Sequence, residues 1–137
     1  MVLVRESTAK ALGLQPLARI VSHATHAQAP EWFSTAPVGA SQKALAKAGW
    51  QVKDVDLWEI NEAFAVVPMA LMHELHVSHD KVNVHGGACA LGHPIGASGA
   101  RIIVTLLHSL QAKGLKKGLA TLCIGGGEGT AMALELI

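Results

Sequence analysis

The sequence predicts a single α/β domain, and three observations support that prediction. Segments with the character of strands alternate with segments of helical length, which is the pattern of α/β architecture. The length of 137 residues suits one domain of ordinary size rather than two. Hydrophobic residues make up 50% of the chain and charged residues only 15%, so we expect a sizeable core and no extensive disorder.

The first third of the chain contains two predicted helices with extended chain between them. Residues 6–13 predict a short helix, because hydroxyl side chains can cap its start and a glycine can end it. We expect extended chain over residues 16–25, followed by a loop over residues 27–37, which contains three alanines and two prolines. Residues 41–48 predict the next helix, which Gly49 would close.

The middle of the chain alternates strand and helix. Residues 55–60 predict a strand, residues 63–76 a longer helix and residues 82–84 a second, short strand. Asn61 falls between the first strand and the helix. Because α/β proteins bind ligands at the carboxyl ends of their strands, Asn61 could orient a water or a carbonyl group. The alternative is that Asn61 only caps the helix that follows.

The last third predicts a long helix and two strands. Residues 94–113 form the helix, since Pro94 favours a first helical position, and residues 119–124 and 130–136 form antiparallel strands across a glycine-rich turn. Residues 100–107 are apolar on nearly every side, whereas a surface helix has one apolar stripe. We therefore expect this helix to pack also against a second sheet, from a further domain or a partner chain.

His93 is the first candidate for chemistry, because it comes immediately before Pro94 and so lies at the N-terminus of the long helix. The partial positive charge there disfavours the imidazolium and keeps the ring neutral, ready to act as a base or a hydrogen-bond donor. Nine of the 14 glycines lie within residues 85–101 and 125–129, as expected for loops that approach something closely. The alternative is a histidine that only caps the helix.

Cys123 is the second candidate, because it ends a predicted buried strand and is followed by a run of glycines. Backbone N–H groups of glycines can hold an oxyanion, and a thiol beside them could act as a nucleophile or as an acid and base. The alternative is a structural cysteine before a hairpin turn. No Lys-Ser or Lys-Thr pair follows the glycines, which argues against a phosphate-binding loop.

Charge and composition argue against several classes of protein. The formal net charge is +1, so the sequence predicts no nucleic-acid partner. The longest strongly apolar run, residues 102–107, is far shorter than the roughly 20 residues of a membrane span, so we expect no membrane partner. The two cysteines, Cys89 and Cys123, are too few for a disulfide framework and favour a reduced, cytoplasmic setting.

Two further features have ordinary interpretations. His73, His76 and His79 recur at every third residue, which could suggest a metal site, but we interpret them as a solvated helix end and predict no metal. Cys89 lies between small residues in the loop before the long helix, and we expect it to serve in packing.

Three motifs together resemble the thiolase family. Asn-Glu-Ala-Phe at 61–64, Gly-Gly-Ala-Cys-Ala-Leu-Gly-His-Pro-Ile-Gly-Ala-Ser-Gly at 86–99 and Cys-Ile-Gly-Gly-Gly at 123–127 are similar to the family's three C-terminal motifs, in the same order. Within the family, the chain is most similar to the biosynthetic acetyl-CoA C-acetyltransferases, the acetoacetyl-CoA thiolases. His85 and Glu128 depart from the pattern, which often has Asn and Met there, and both flank the expected catalytic positions.

This resemblance implies a fold and a missing partner. Residues 16–137 would form the thiolase C-terminal domain, a mixed five-stranded sheet with helices on both faces. Residues 1–15 would be the remnant of the strand and helix that end the preceding N-terminal domain. The acylated cysteine of the family belongs to that N-terminal half, so the chain alone would be inactive. Its partners would be the thiolase N-terminal domain, in cis or in trans, and further copies in a homo-oligomer.

The resemblance also implies a reaction. Thiolases of this type perform the Claisen condensation of two acetyl-CoA molecules to acetoacetyl-CoA and the reverse thiolysis, with coenzyme A thioesters as substrates and no other cofactor. His93 would activate the nucleophilic cysteine, and Cys123 would move the proton at the α-carbon of the second acetyl-CoA. A carbanion beside a thioester requires such a base, together with sites for negatively charged oxygen atoms.

The same resemblance assigns those oxyanion sites and the substrate pocket. Asn61 would hold a water that completes a first oxyanion hole with His93, and the backbone N–H of Gly125 would belong to a second. Phe64 and Ala63 would line the substrate pocket.

Two alternatives remain at this point. A thiolase-like module without catalysis could dimerise or bind acyl chains, but such a module has no need to keep Asn61, His93 and Cys123 together. A ketoacyl-synthase relative would share the fold but would use two histidines, or a histidine and an asparagine, and would not need Cys123.

Overall fold

The chain is built around one mixed β-sheet of four strands. A computed structural model describes residues 1–137. The strands are β1 (Ala18–Ala27), β2 (Leu57–Ile60), β3 (Lys117–Ile124) and β4 (Glu128–Leu136). Their order across the sheet is β1-β4-β3-β2. Strand β4 is antiparallel to both of its neighbours, whereas β2 and β3 are parallel, so the carboxyl ends of β2 and β3 lie at the same edge.

Helices and short turns connect these strands. The three 3-10 turns span Pro30–Thr35, Val52–Asp54 and His79–Lys81. None of the helices combines the length and hydropathy that a membrane crossing requires. The five α-helices are α1 (Glu6–Ala11), α2 (Ala36–Ala48), α3 (Val66–Leu75), α4 (Ala88–Leu91) and α5 (Ile95–Lys113).

The sheet separates two apolar clusters. Successive residues of a strand point to opposite faces, so Trp58 and Ile60 of β2 pack on the side of α2 and α3, in a cluster of 15 buried residues. Leu57 of β2 packs with α5 in a second cluster, which has 7 buried residues. The same alternation directs Glu59 toward α5, where it meets Arg101. The α5 side of the sheet thus has the smaller apolar core and a buried charged pair.

The outer side of α5 is incompletely covered. Ile102, Leu106 and Leu110 form a buried stripe against the sheet, while Val104 is 40% exposed and Ile95 is 86% exposed. Transfer of such apolar surface out of water is favourable, so this side of α5 is suited to pack against another surface. The packing of α5 against a second sheet stays a prediction. The assignment of residues 1–15 to the end of a preceding N-terminal domain also stays a prediction.

The predicted number of strands was wrong, since the sheet has four and not five. Residues 82–84 make only a single parallel bridge, between Val82 and Trp58. At Asn83 the chain adopts a positive φ of 47° and turns away from the sheet. The Asn83 side chain replaces the pairing of a fifth strand: Oδ1 accepts from the N–H of Ile60, and Nδ2 donates to the Ile60 carbonyl, both at 2.8 Å.

Several element boundaries also differ from the sequence prediction. Helix α2 begins at Ala36, five residues before the predicted start, because Pro37 occupies its first turn and Gly39 accommodates the His26 ring, which would overlap any Cβ there. Part of the predicted loop 27–37 is therefore helical. Helix α3 begins only at Val66, and α4 was not predicted. Gly49 and Gly114 end their helices with φ values of 69° and 65°, as glycine permits.

Candidate active site

The carboxyl ends of β2 and β3 and the start of α5 bring the predicted site residues to one edge of the sheet. Asn61 directly follows β2, and its backbone N–H donates to the Thr121 carbonyl at 2.9 Å, which extends the parallel pairing by one residue. Cys123 lies near the end of β3, and His93 lies two residues before α5. Segments far apart in sequence thus meet at the position where α/β sheets bind ligands.

His93 is held between Asn61 and Ser98. Asn61 Nδ2 lies 3.4 Å from His93 Nε2, and Ser98 Oγ lies 2.6 Å from His93 Nδ1. Ser98 Oγ also lies 3.1 Å from the Pro94 carbonyl oxygen, which can only accept, whereas the Asn61 Nδ2 amide can only donate. These partners fit the tautomer with the proton on Nδ1 and the lone pair of Nε2 directed toward the Asn61 amide.

The capping alternatives do not fit this geometry. The N-cap of α3 is Ala65, four residues after Asn61, so Asn61 is not the cap of that helix. The N-cap of α5 is Pro94 and not His93, whose ring is bonded to Asn61 and Ser98. The prediction that Pro94 is the first helical residue was off by one, because its ψ of 96° is not helical.

Asn61 has an unused acceptor. The residue is completely buried, and its Oδ1 atom has no hydrogen-bond partner within the chain. Buried polar atoms are almost always bonded, so Oδ1 has the capacity to accept from a water or from another group that reaches this edge.

Cys123 has a different environment. Its side chain is 8% exposed and belongs to the larger apolar cluster, and in the strand register Cys123 lies opposite Gly129 of β4. Burial raises the pKa of the Cys123 thiol, because an apolar environment disfavours the thiolate. The free thiol is therefore protonated at neutral pH, and a thiolate formed there would be a stronger base than an ordinary one.

The glycine turn after Cys123 contains glycines of two kinds. At Gly127 φ is +96°, and a Cβ there would overlap the Gln28 carbonyl oxygen, so the fold itself requires glycine. At Gly125 φ is not in the left-handed region, the residue is exposed, and a Cβ would meet nothing within 4 Å. The fold of this chain therefore does not require glycine at Gly125.

The predicted pocket residues lie beside this edge. Phe64 is 61% exposed and packs edge-to-face on Phe33, with ring centroids 6.1 Å apart. Ala63 is half-buried. These positions leave the Phe64 ring accessible for contact with a further group.

Polar residues that sequence reasoning did not single out surround the predicted ones. Ser98 Oγ contacts Nδ1 of His93, and its place in the first turn of α5 was the available signal. Glu62 accepts from the backbone N–H of Cys89 at 2.9 Å and from Asn83 Nδ2 at 3.0 Å. The packing role predicted for Cys89 was wrong, because this residue is exposed.

A buried charged pair lies under the same edge. Glu59 is 1% exposed, and its Oε2 accepts from Arg101 Nη1 of α5 at 3.2 Å. Burial raises the pKa of Glu59 to about 7, although the Arg101 charge and hydrogen bond act in the opposite direction. This pair connects the strand before Asn61 to the helix after His93.

The three histidines at 73, 76 and 79 lie at a solvent-exposed helix end. His73, His76 and His79 are exposed around the end of α3, and no group of three or more potential ligands in the chain is placed to hold a metal ion.

Comparison with known proteins decides the family. The family model described as "Thiolase, C-terminal domain" matches residues 14–136. The chain belongs to the thiolase C-terminal domain family. This finding confirms the membership predicted from the three motifs, and the thiolase domain described here carries all three at one edge of its sheet.

Curated relatives and a solved structure agree with this membership. The thiolase domain is 60% identical to the acetyl-CoA acetyltransferase of Chromobacterium violaceum over 94% of its length and 57% identical to that of Escherichia coli over 98%. The crystal structure of the Bacillus anthracis acetyl-CoA acetyltransferase superposes with a TM-score of 0.93, at 48% identity over 96% of this chain. The chain covers only 33% and 34% of the two relatives and 34% of the solved chain.

Proposed function

We propose that this thiolase domain supplies one half of the active site of an acetyl-CoA C-acetyltransferase. The reaction is the Claisen condensation of two acetyl-CoA molecules to acetoacetyl-CoA and the reverse thiolysis. The observation that carries the proposal is the fixed orientation of His93, whose Nε2 meets the buried amide of Asn61 while Nδ1 meets Ser98 Oγ. The names of the bacterial relatives support the substrate class.

The first half-reaction needs a base at Nε2 of His93. A cysteine thiol from the N-terminal half gives its proton to Nε2, and the thiolate attacks the carbonyl carbon of acetyl-CoA. The tetrahedral oxyanion then accepts hydrogen bonds from the protonated His93 and from a water held by Asn61. Coenzyme A departs as the C–S bond breaks and takes the proton, which leaves the cysteine acetylated.

The second half-reaction needs a base at the α-carbon of a second acetyl-CoA. The Cys123 thiol gives its proton to His93, and its thiolate removes the α-proton, so that the resulting carbanion attacks the acetyl carbonyl of the acylated cysteine. The bond between that carbonyl carbon and the cysteine sulfur then breaks, which releases acetoacetyl-CoA, and the cysteine thiolate recovers its proton from His93. The backbone N–H of Gly125 donates to the developing oxyanion, which fits a position where the fold tolerates a Cβ but a substrate needs close approach. Phe64 and Ala63 line the substrate pocket.

The proposal requires a partner domain but no cofactor. The partner is a thiolase N-terminal domain, in cis or in trans, which supplies the acylated cysteine and most contacts to coenzyme A. The mouse relative, 52% identical to this chain, is named a cytosolic acetyl-CoA acetyltransferase, which supports a cytoplasmic setting. The complete enzyme is a homo-oligomer, and the uncovered side of α5 is available for such packing.

A chimeric enzyme tests this function. The C-terminal third of the Escherichia coli acetyl-CoA acetyltransferase is replaced by residues 14–136 of this chain, and thiolysis of acetoacetyl-CoA by coenzyme A is measured. We expect the chimera to turn over and this chain alone to be inactive. A folded chimera without thiolysis would contradict the proposal, and so would robust activity from this chain alone. If the domain were a non-catalytic interaction module, the chimera would fold but would not catalyse thiolysis.

A further inference from the structure

We propose that Glu62 and Asn83 are a positioning pair that sets where His93 lies relative to Asn61. This inference rests on the proposed function only where it concerns catalysis, because the effect of the pair on His93 can be measured in this chain alone. Neither residue reaches the reacting atoms in the mechanism above.

The need for such a pair follows from the exposure of the His93 segment. Residues 89–97 are all exposed, and buried residues occur only at the two ends, Ala88 and Ser98. Apolar burial therefore contributes little to the placement of His93, and the ends of the segment must be fixed by polar contacts. Ser98 and the pair of Glu59 with Arg101 fix the α5 end.

Glu62 fixes the other end. Its Oε2 accepts from the backbone N–H of Cys89, and the short helix α4 leads from there to Gly92 and His93. Its carboxylate also lies directly against Gly87, where any Cβ would overlap it. The start of α4 is thus held to the residue that directly follows Asn61.

Asn83 completes the connection to β2. Its side chain binds both backbone groups of Ile60, the residue before Asn61, and its Nδ2 also donates to Glu62 Oε1. The end of β2, the turn at Asn83 and the start of α4 are therefore cross-linked by one amide and one carboxylate.

The charge of Glu62 strengthens this arrangement. Burial acts to raise its pKa, but the hydrogen bonds from the Cys89 backbone and Asn83 prevail, and the pKa lies below its usual value. The carboxylate stays ionised at neutral pH, and hydrogen bonds to an ionised acceptor are shorter and stronger than neutral ones.

Imidazole nitrogen NMR of this chain tests the pair. In the parent chain we expect one neutral tautomer of His93, with the proton on Nδ1. Glu62→Gln keeps the shape but presents a donor where Asn83 Nδ2 or the Cys89 N–H needs an acceptor. Asn83→Gly removes the side chain at a position where glycine tolerates the positive φ. Both variants should move the Nε2 signal of His93, because the Asn61 amide is no longer held beside it, while the Nδ1 partner Ser98 is unchanged.

Matched controls separate positioning from general loss of structure. His76 is exposed, also has a positive φ of 54° and lies outside the site, so His76→Gly should leave the His93 signals unchanged. Ser98→Ala removes the Nδ1 partner and should move the Nδ1 signal of His93 instead. If Glu62→Gln fails to fold, the NMR result for Asn83→Gly decides whether the proposal stands. If the folded single variants keep the parent His93 signals, the proposal is overturned.

The chimera then measures the catalytic consequence. We expect Glu62→Gln to lower kcat by between about tenfold and a hundredfold, with KM for coenzyme A within about twofold, as for a misplaced catalytic group. An inactive parent chimera would overturn the proposed function and leave the NMR result standing. A loss of kcat with intact His93 signals would overturn the positioning role instead.

Discussion

His93 and Cys123 lie at the same edge of the sheet but are held there by different forces. His93 belongs to an exposed segment and is placed by hydrogen bonds and charges, from Ser98, Asn61 and the residues around Glu62. Cys123 is buried in an apolar cluster, and its turn is shaped by a glycine that packs against backbone. The position of His93 should therefore be sensitive to pH and to substitutions that remove a charge without changing shape. The position of Cys123 should be sensitive to changes in side-chain volume.

This difference teaches that the two halves of the proposed reaction can be impaired separately. A change that weakens polar support should act on acylation through His93. A change in the Cys123 thiol or its turn should act on the carbon–carbon bond step.

The largest expected effect is that of Cys123→Ser in the chimera. A hydroxyl is a far weaker acid than a thiol and a poor base at neutral pH, so condensation should fall by about 10²- to 10⁴-fold. Acetylation of the partner cysteine by acetyl-CoA, followed by mass spectrometry, should be comparatively intact. Equal loss of both steps would indicate a folding defect and would break the comparison.

The second prediction concerns the pH dependence of stability on the His93 side. The pKa of Glu59 is about 7 in the folded chain, while the unfolded chain has the ordinary value near 4.5. Between these values the folded state binds more protons, so the free energy of unfolding should fall as the pH rises from about 4.5 to about 7 and then level off. The loss is of the order of 3 kcal/mol, since one pKa unit corresponds to about 1.4 kcal/mol.

Urea unfolding at several pH values measures this effect. Glu59→Gln should remove most of the slope in that interval. Glu135, whose carboxylate pairs with the exposed Arg19, provides the matched control, and Glu135→Gln should change stability by less than about 1 kcal/mol. A parent chain whose stability rises steadily with pH over this interval would refute the assignment to Glu59.

The smallest expected effects distinguish two glycines of the turn beside Cys123. Gly127→Ala introduces a Cβ against the Gln28 carbonyl at a positive φ, and should lower the free energy of unfolding by about 2 kcal/mol or more. Gly125→Ala places its Cβ in open space and should change stability by no more than about 0.5 kcal/mol.

Thermal unfolding of the two variants checks the difference. If Gly125→Ala is stable but lowers condensation in the chimera, glycine is needed there for access to the oxyanion. Equal destabilisation by both substitutions would show instead that the whole turn is held sterically.

The sequence predicted most of the fold because its signals are local. The glycines that end α2 and α5 and the turn between β3 and β4 each act through neighbouring residues. The prediction of a fifth strand failed because Val82 and Val84 flank Asn83 in an alternation typical of a strand, while the turn at Asn83 depends on hydrogen bonds to a distant residue. The predicted start of α2 was wrong because proline and glycine, here Pro37 and Gly39, are also common in loops. Only the contact with the His26 ring shows why a glycine fits the helix at Gly39.

The candidate site was predictable only in part for the same reason. Asn61, His93 and Cys123 stand in recognisable motifs, so their common edge could be predicted before the structure. The partners of these residues could not, because Glu59 meets Arg101 across 42 positions and Glu62 meets Cys89 across 27. Such contacts depend on how strand and helix pack and leave no periodic pattern. The catalytic roles themselves stay predictions until the variants are measured.

The Asn83 side chain also affects how this chain behaves toward other chains. Strand β2 is an edge of the sheet, and an edge with free N–H and C=O groups can recruit a strand from a neighbouring molecule. Asn83 occupies both backbone groups of Ile60, and its own backbone N–H occupies the Trp58 carbonyl. The carboxyl end of β2 is thereby closed to intermolecular strand pairing, which protects this edge against aggregation.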